Sequence, residues 1–214
     1  MVIRFSTNVA IYALEKALEL GAKVIAMSDS NGYIIDEKGI NLEVIKEIKE
    51  VKRGRIKEYL NYVSDAKYVE SNEINPSIWS VKCDIAMPCA TQNELDLNDA
   101  KMLVANGVIG VYEGANMPTT LEAYNYLVDN DVIYGPGKAS NAGGVSVSGL
   151  EMTQNSLRLS WSKEEVDQKL KDIMINIFHN VYNTNIKYNI KSNDLLKGAN
   201  IAGFVKIADA MIAQ

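Results

Sequence analysis

The first thirty residues restrict the fold more than any other stretch. Met1-Val2-Ile3-Arg4-Phe5 is a short run rich in strand formers. From Asn8 onward Val9, Tyr12, Ala13, Ala17 and Leu20 recur at helical spacing, and Gly21 stands where a helix stops. Lys23-Val24-Ile25-Ala26-Met27 then reads as a second strand, ending in the turn cluster Ser28-Asp29-Ser30-Asn31-Gly32. Strand, helix and strand in so short a span make a βαβ unit, which demands parallel strands and a right-handed crossover.

The alternation continues. Residues 42 to 61 read as a helix or helix pair, with Leu42, Ile45, Ile48, Val51 and Ile56 on the apolar side. Tyr68-Val69-Glu70 is a short strand, residues 71 to 79 a loop, and Cys83 to Pro88 a buried strand running into a turn. Residues 93 to 106 are helical, capped by Asp96 or Asn98. Val108 to Tyr112 is a strand, Thr119 to Asp129 a helix and Val132-Ile133-Tyr134 a strand. Gly135-Pro136-Gly137 and Gly143-Gly144 bracket a loop, and residues 145 to 214 are mostly helical. The fold class is therefore α/β: a doubly wound, Rossmann-like parallel sheet with additional C-terminal helices. One domain spans 1–214, with a Rossmann-like core over 1–150 and a helical part over 151–214.

Composition narrows the function classes. With 47% hydrophobic residues and a net charge of -5, the chain buries a core and is not disordered. No apolar run reaches the roughly 20 residues of a membrane span, and no cationic leader precedes an apolar core. The acidic balance argues against a nucleic-acid surface. Cys83 and Cys89 read as buried, inert thiols in a reduced, cytoplasmic setting. His179 stands alone on a helix, and no metal site is expected.

In a doubly wound sheet the first strand-to-helix turn faces a phosphate, through backbone N–H groups at the helix N-terminus. Here the turn is Phe5-Ser6-Thr7-Asn8-Val9, without the glycine that gives the phosphate its close approach. On these residues alone it is an ordinary turn capped by Ser6 or Thr7. Asp29, at the end of the second strand, is placed either to accept from adenosine ribose hydroxyls or to bond its own turn. Ser28 and Ser30 can donate to a phosphate. Lys49, Lys52, Arg53 and Arg55 are either its partners or a solvated helix face. Three loops fall where strand C-termini gather: Pro88 to Glu94, Glu113 to Thr120 and Lys138 to Ser148. Each mixes small residues with amides and hydroxyls, a composition suited to a polar ligand.

At these loops the sequence resembles glutamate dehydrogenase, specifically the C-terminal coenzyme-binding domain of the hexameric type. The segments that carry the resemblance are Ser28 to Tyr33, Met87 to Leu95, Glu113 to Thr120, Asn141 to Val145, Ser148 to Asn155 and Gly198 to Phe204, in the family's order. The Glu113 and Asn141 stretches differ from those of the leucine and phenylalanine enzymes, and Ser28-Asp29-Ser30 resembles the NADP-using branch.

The resemblance implies reversible NAD(P)-dependent oxidative deamination of L-glutamate to 2-oxoglutarate and ammonia, by a homo-oligomer. It implies cofactor binding by Ser6, Thr7, Asn8, Val9, Asp29, Ser30, Lys49, Lys52, Ala90, Thr91, Gln92, Asn116 and Asn141. Ala90, Thr91 and Gln92 would line the nicotinamide side, and Asn116 would sit by the nicotinamide ribose. Val145 and Ser148 would face the substrate, Ser148 bonding its side-chain carboxylate. Ser30 and the basic run would hold the 2′-phosphate of NADP, with NAD as the alternative coenzyme.

Two departures qualify this. Phe5 and Thr7 occupy the positions where the family carries glycine, so binding should be weakened: a Cβ at Thr7 fills the pyrophosphate's space. The family's substrate domain, with its lysines and proton-transfer aspartate, has no counterpart in residues 1 to 214, so catalytic residues are expected elsewhere and the isolated chain is expected to be inactive. A non-catalytic remnant that keeps the fold without tight nucleotide binding is the alternative.

Overall fold

The computed structural model describes residues 1–4, 8–72 and 74–214, and of Arg4 and Asn8 the backbone alone. The expectations for Phe5, Ser6 and Thr7, and for the side chain of Asn8, lie outside the described residues. The chain divides into two compact units, Met1–Val132 and Ile133–Gln214.

The first unit contains strands β1 (Val2–Arg4), β2 (Ala26–Asp29), β3 (Gly32–Ile35), β4 (Lys67–Glu70), β5 (Ile85–Pro88) and β6 (Gly110–Tyr112), in the order β4-β3-β2-β1-β5-β6. Val2 is in register with Ala26 of β2 on one side and Ala86 of β5 on the other, both parallel. β5 pairs with β6 in parallel, so the expected parallel layer is present. β3 is a departure. It turns back on β2 as an antiparallel hairpin, Asp29 opposite Gly32, and β4 pairs antiparallel to β3. The turn cluster at 28–32 is thus a hairpin tip within the sheet.

Helix α1 (Asn8–Glu19) joins β1 to β2. Its buried face is Ala10, Ile11, Leu14 and Ala17, whereas Val9, Tyr12 and Leu20 are exposed. Two apolar stripes fit the same 3.6-residue period, and the narrower aliphatic one meets the sheet. Gly21 ends the helix at φ +80°, with the Ala22 N–H reaching back to the Ala17 carbonyl. Behind the sheet Ile3, Ile11, Leu14, Met27, Ile34, Ile45, Ile48, Ile56 and Tyr59 are fully buried. Each such side chain contributes about 1.5–3 kcal/mol on burial.

The expected helix or helix pair over 42–61 is a pair of helical stretches, with Ile45, Ile48 and Ile56 fully buried. Helix α2 (Leu42–Lys46) runs into a π-type turn, Glu47–Val51, and a 3-10 stretch follows over Ile56–Asn61. The break falls at Arg53, held at φ 53°, and at Gly54, where a Cβ would lie 2.3 Å from the Glu58 carboxylate. Helices α3 (Leu97–Ala105), capped by Asp96, and α4 (Leu121–Asp129), capped by Thr120, complete the unit.

The second unit holds strand β7 (Ile133–Gly135) and helices α5 (Gly137–Ser140), α6 (Gly143–Leu157), α7 (Lys163–Lys187) and α8 (Leu195–Ile212). The loop expected over Lys138 to Ser148 is therefore largely helical. Ser146 and Ser148 return their hydroxyls to the carbonyls of Ala142 and Gly144, so these polar residues compete little with the helix. Where α7 meets α8, the fully buried Asn185 donates to the carbonyls of Lys191 and Asp194. Its Oδ1 lies 1.9 Å from where a Cβ on Gly198 would be, so only glycine fits there. No helix among the described residues is long and apolar enough to cross a membrane.

Candidate functional site

In an open α/β sheet, ligands bind beyond the C-terminal ends of the parallel strands, where the connections leave in opposite directions. In the first unit that point lies between β1 and β5, flanked by the β2 tip and by the loops after β5 and β6.

At the β2 tip the backbone turn confines Asp29. The residue is 8% exposed, and its carboxylate is committed on both oxygens. Oδ1 accepts from the Asn31 N–H at 2.9 Å, the turn bond that was one of the two readings of this residue. Oδ2 accepts from the Ile56 N–H at 2.9 Å and from Lys49 Nζ at 3.4 Å. Lys49 also donates to the Gly54 carbonyl at 3.1 Å. Asp29 thus ties the β2 tip to the segment at 54–56. Next to it Arg55 Nη1 donates to Ser30 Oγ at 2.9 Å, both residues being exposed. Lys52 is not in this group. It turns to the Tyr62 hydroxyl and, at 3.8 Å, to Glu47. Ser28 is buried, as are its neighbours Met27 and Asp29, so it is not placed to donate to a surface ligand.

The other flank is two loops knitted together. Gly114 and Ala115 donate to the Pro88 carbonyl, Asn93 to Met117, Leu95 to Pro118 and Thr120 to Leu95. Asn93 and Met117 take left-handed backbones at φ 55° and 49°. Beneath them lies Cys89, 1% exposed, and a Cβ on Gly114 would approach its sulfur to 2.4 Å and Val9 Cγ1 to 3.4 Å. Val9, expected at the cofactor, stands on the first turn of α1 facing this glycine. Burial pushes the Cys89 thiol up to about 12, helped by the nearby Glu94 carboxylate and opposed by the Gly114 N–H. Burial likewise raises Cys83 to about 11. Both thiols stay protonated at neutral pH, as expected of inert cysteines.

Two buried glutamates organise these loops. Glu94 accepts from the N–H of Ala90 at 3.0 Å and of Thr91 at 3.2 Å, and Glu113 accepts from the N–H of Thr119 at 3.3 Å. What the loops show outward is the half-buried Ala90 and the exposed Thr91, Gln92 and Asn116. Of these groups, Arg55 was named in the sequence only as part of a basic run. Glu94 and Glu113 went unremarked as site residues because their work is internal to a loop.

In the second unit Asn141 is the half-buried C-cap of α5. Val145, 73% exposed, and the exposed Ser148 lie three residues apart on one open face of α6. His179 is exposed on α7. Among the described residues no group of three or more His, Cys, Asp or Glu could hold a metal ion.

These observations meet known proteins across the whole chain. The model of the family described as Glutamate/Leucine/Phenylalanine/Valine dehydrogenase matches residues 1–214. A glutamate dehydrogenase of Bacteroides thetaiotaomicron is 54% identical over 98% of this chain and 46% of its own length. An NADP-specific glutamate dehydrogenase of Haemophilus influenzae is 52% identical, with the same coverage. The crystal structure of Plasmodium falciparum glutamate dehydrogenase superposes with a TM-score of 0.93 at 50% identity, covering 100% of this chain and 45% of that one. The chain thus spans about half the length of the relatives it matches, and by its motifs, its sheet and this match it belongs to the Glutamate/Leucine/Phenylalanine/Valine dehydrogenase family.

Proposed function

We propose that this chain is the coenzyme-binding part of an NADP-using glutamate dehydrogenase, whose whole protein interconverts L-glutamate with 2-oxoglutarate and ammonia. One observation carries the coenzyme choice: an exposed hydroxyl and an exposed guanidinium, Ser30 and Arg55, meet at 2.9 Å beside Lys49. That donor set suits a phosphate ester, and a guanidinium suits its geometry better than an ammonium does. The names of relatives at 52% and 53% identity, both NADP-specific, support the same choice.

Ser30 and Arg55 would hold the 2′-phosphate. Lys49 supports them from behind, and Asp29 braces the turn instead of meeting the ribose. Ala90, Thr91, Gln92 and Asn116 would line the nicotinamide end; by the family resemblance Asn141 would contact the cofactor, and Val145 and Ser148 the substrate. When bound, NADP supplies the hydride acceptor. The protein's part is to fix the ring's position and exclude water. The homo-oligomer and the cytoplasmic site of action belong to this reading. Phe5 and Thr7 should weaken the affinity by denying the pyrophosphate its approach.

Calorimetric titration of the chain and of a Phe5→Gly/Thr7→Gly double variant, each with NADP+ and NAD+, tests the proposal. The expected result is weak binding that strengthens in the double variant, with NADP+ preferred at least tenfold. Equal affinity for the two coenzymes in the double variant would overturn the NADP assignment.

A further inference from the structure

Resting on the coenzyme reading above, we propose that Glu94 is a positioning residue for the nicotinamide end: it sets the polarity of the Ala90–Thr91 loop so that carbonyls, not N–H groups, face the ligand. A dinucleotide whose phosphorylated ribose lies at the β2 tip crosses β1 and puts its second half at the loops after β5 and β6. There Glu94, 7% exposed, takes the N–H of Ala90 on one carboxylate oxygen and that of Thr91 on the other. All described peptide bonds are trans, and in a trans peptide N–H and C=O point in opposite directions. The Cys89 and Ala90 carbonyls therefore point away from the carboxylate. No donor among the described residues reaches either oxygen.

The chemistry of the loop follows. Two adjacent N–H groups would otherwise make an anion-binding nest of the kind that attracts phosphate. With both consumed from behind, the backbone at Ala90 and Thr91 offers acceptors only. It disfavours phosphate and favours a ligand carrying N–H donors, which the nicotinamide supplies through its carboxamide. The clamp has little slack, because the same loop is pinned at Asn93 and Leu95 to the carbonyls of Met117 and Pro118.

The test uses the 214-residue chain, its Glu94→Gln variant and two ligands, NADP+ and 2′-phospho-ADP-ribose, which lacks the nicotinamide. Glutamine keeps one acceptor oxygen but turns an NH2 toward the second N–H. Amide exchange at Ala90 and Thr91 should accelerate at least tenfold. NADP+ affinity should fall about tenfold, the worth of one or two hydrogen bonds. Affinity for the nicotinamide-free ligand should hold within twofold. Should Glu94→Gln unfold, Glu94→Asp keeps the charge but cannot span both N–H groups, and the same pattern is expected in smaller measure. Equal losses for both ligands, or no loss for either, would overturn the role. A parent chain and a Phe5→Gly/Thr7→Gly variant that bind neither ligand would overturn the coenzyme reading itself, while the exchange rates would still report on the clamp.

Discussion

The two flanks of the candidate site use charge in opposite ways. At the β2 tip Ser30 and Arg55 face solvent, and the buried Asp29 is spent on holding them there. At the β5 and β6 loops the carboxylates of Glu94 and Glu113 are turned inward, and amides and small residues are what the surface shows. On the proposed reading, one flank would recognise a charged group and the other a neutral, hydrogen-bonding one. The exposed flank should thus be sensitive in ligand affinity and tolerant in stability. The packed flank should be the reverse under changes of pH or volume.

The largest expected effect is alkaline destabilisation, to which the packed flank contributes through Cys89 and the opposite end of β5 through Cys83. The thiols of Cys89 and Cys83 are raised from an ordinary 9.0 to about 12 and about 11. Between pH 9 and 11 the unfolded chain loses two protons that the native chain keeps. Stability is then intact below pH 9 and falls as pH rises, by up to about 2.7 kcal/mol per pH unit from this pair. Chemical denaturation from pH 8 to 10.5 reads the slope, to which the buried Tyr59, raised to about 12, also contributes, and Cys89→Ala should lower it by up to about 1.4 kcal/mol per pH unit. A flat profile would mean that Cys89 is not sealed, and the contrast between the flanks would weaken.

Next comes volume. Gly114→Ala places a methyl 2.4 Å from the Cys89 sulfur, which has no free space to retreat into. The expected cost is about 2–3 kcal/mol, the range for overpacking a tight site. Cys89→Ala in the same chain removes the obstacle, so the double variant should recover 1 kcal/mol or roughly more through coupling. Thermal unfolding of the four-member cycle decides this. Additive losses would show that the two residues do not touch in solution.

How far could these flanks be read from the sequence? The βαβ opening was legible because α1, at 12 residues, is long enough to show a period and the runs on either side of it are rich in strand formers. Its buried face was not, since Val9, Tyr12 and Leu20 mimic a stripe that Ala10, Ile11 and Leu14 actually form. The β3 hairpin escaped because Gly32–Ile35 offers four residues directly after a turn, too few for alternation to declare itself. At the candidate site, loop composition picked out the loops after β5 and β6, which the structure places beside one another. It could not show that Asp29 is fully bonded, because Lys49 and Ile56 lie 20 and 27 residues away in sequence. The basic run was visible as a run, but which of its members faces Ser30 is set by the break at Arg53 and Gly54.

That break supplies the smallest and most discriminating prediction. Both Lys52 and Arg55 are exposed cations in the same acidic protein, so simple charge counting makes them equivalent. Geometry does not: Arg55 reaches Ser30 at 2.9 Å, whereas Lys52 is taken up by Tyr62 and Glu47. Arg55→Ala in the Phe5→Gly/Thr7→Gly chain should cost NADP+ about 1.5–2 kcal/mol, the worth of a charge-assisted hydrogen bond, and leave NAD+ unchanged. Lys52→Ala should cost NADP+ no more than the few tenths expected of a screened surface charge. Neither should move the melting temperature by more than about 2 °C. Titration of both variants against both coenzymes separates recognition by a placed guanidinium from attraction to a basic patch. Equal losses for Lys52→Ala and Arg55→Ala would favour the patch, and the exposed flank would then be a field rather than a site.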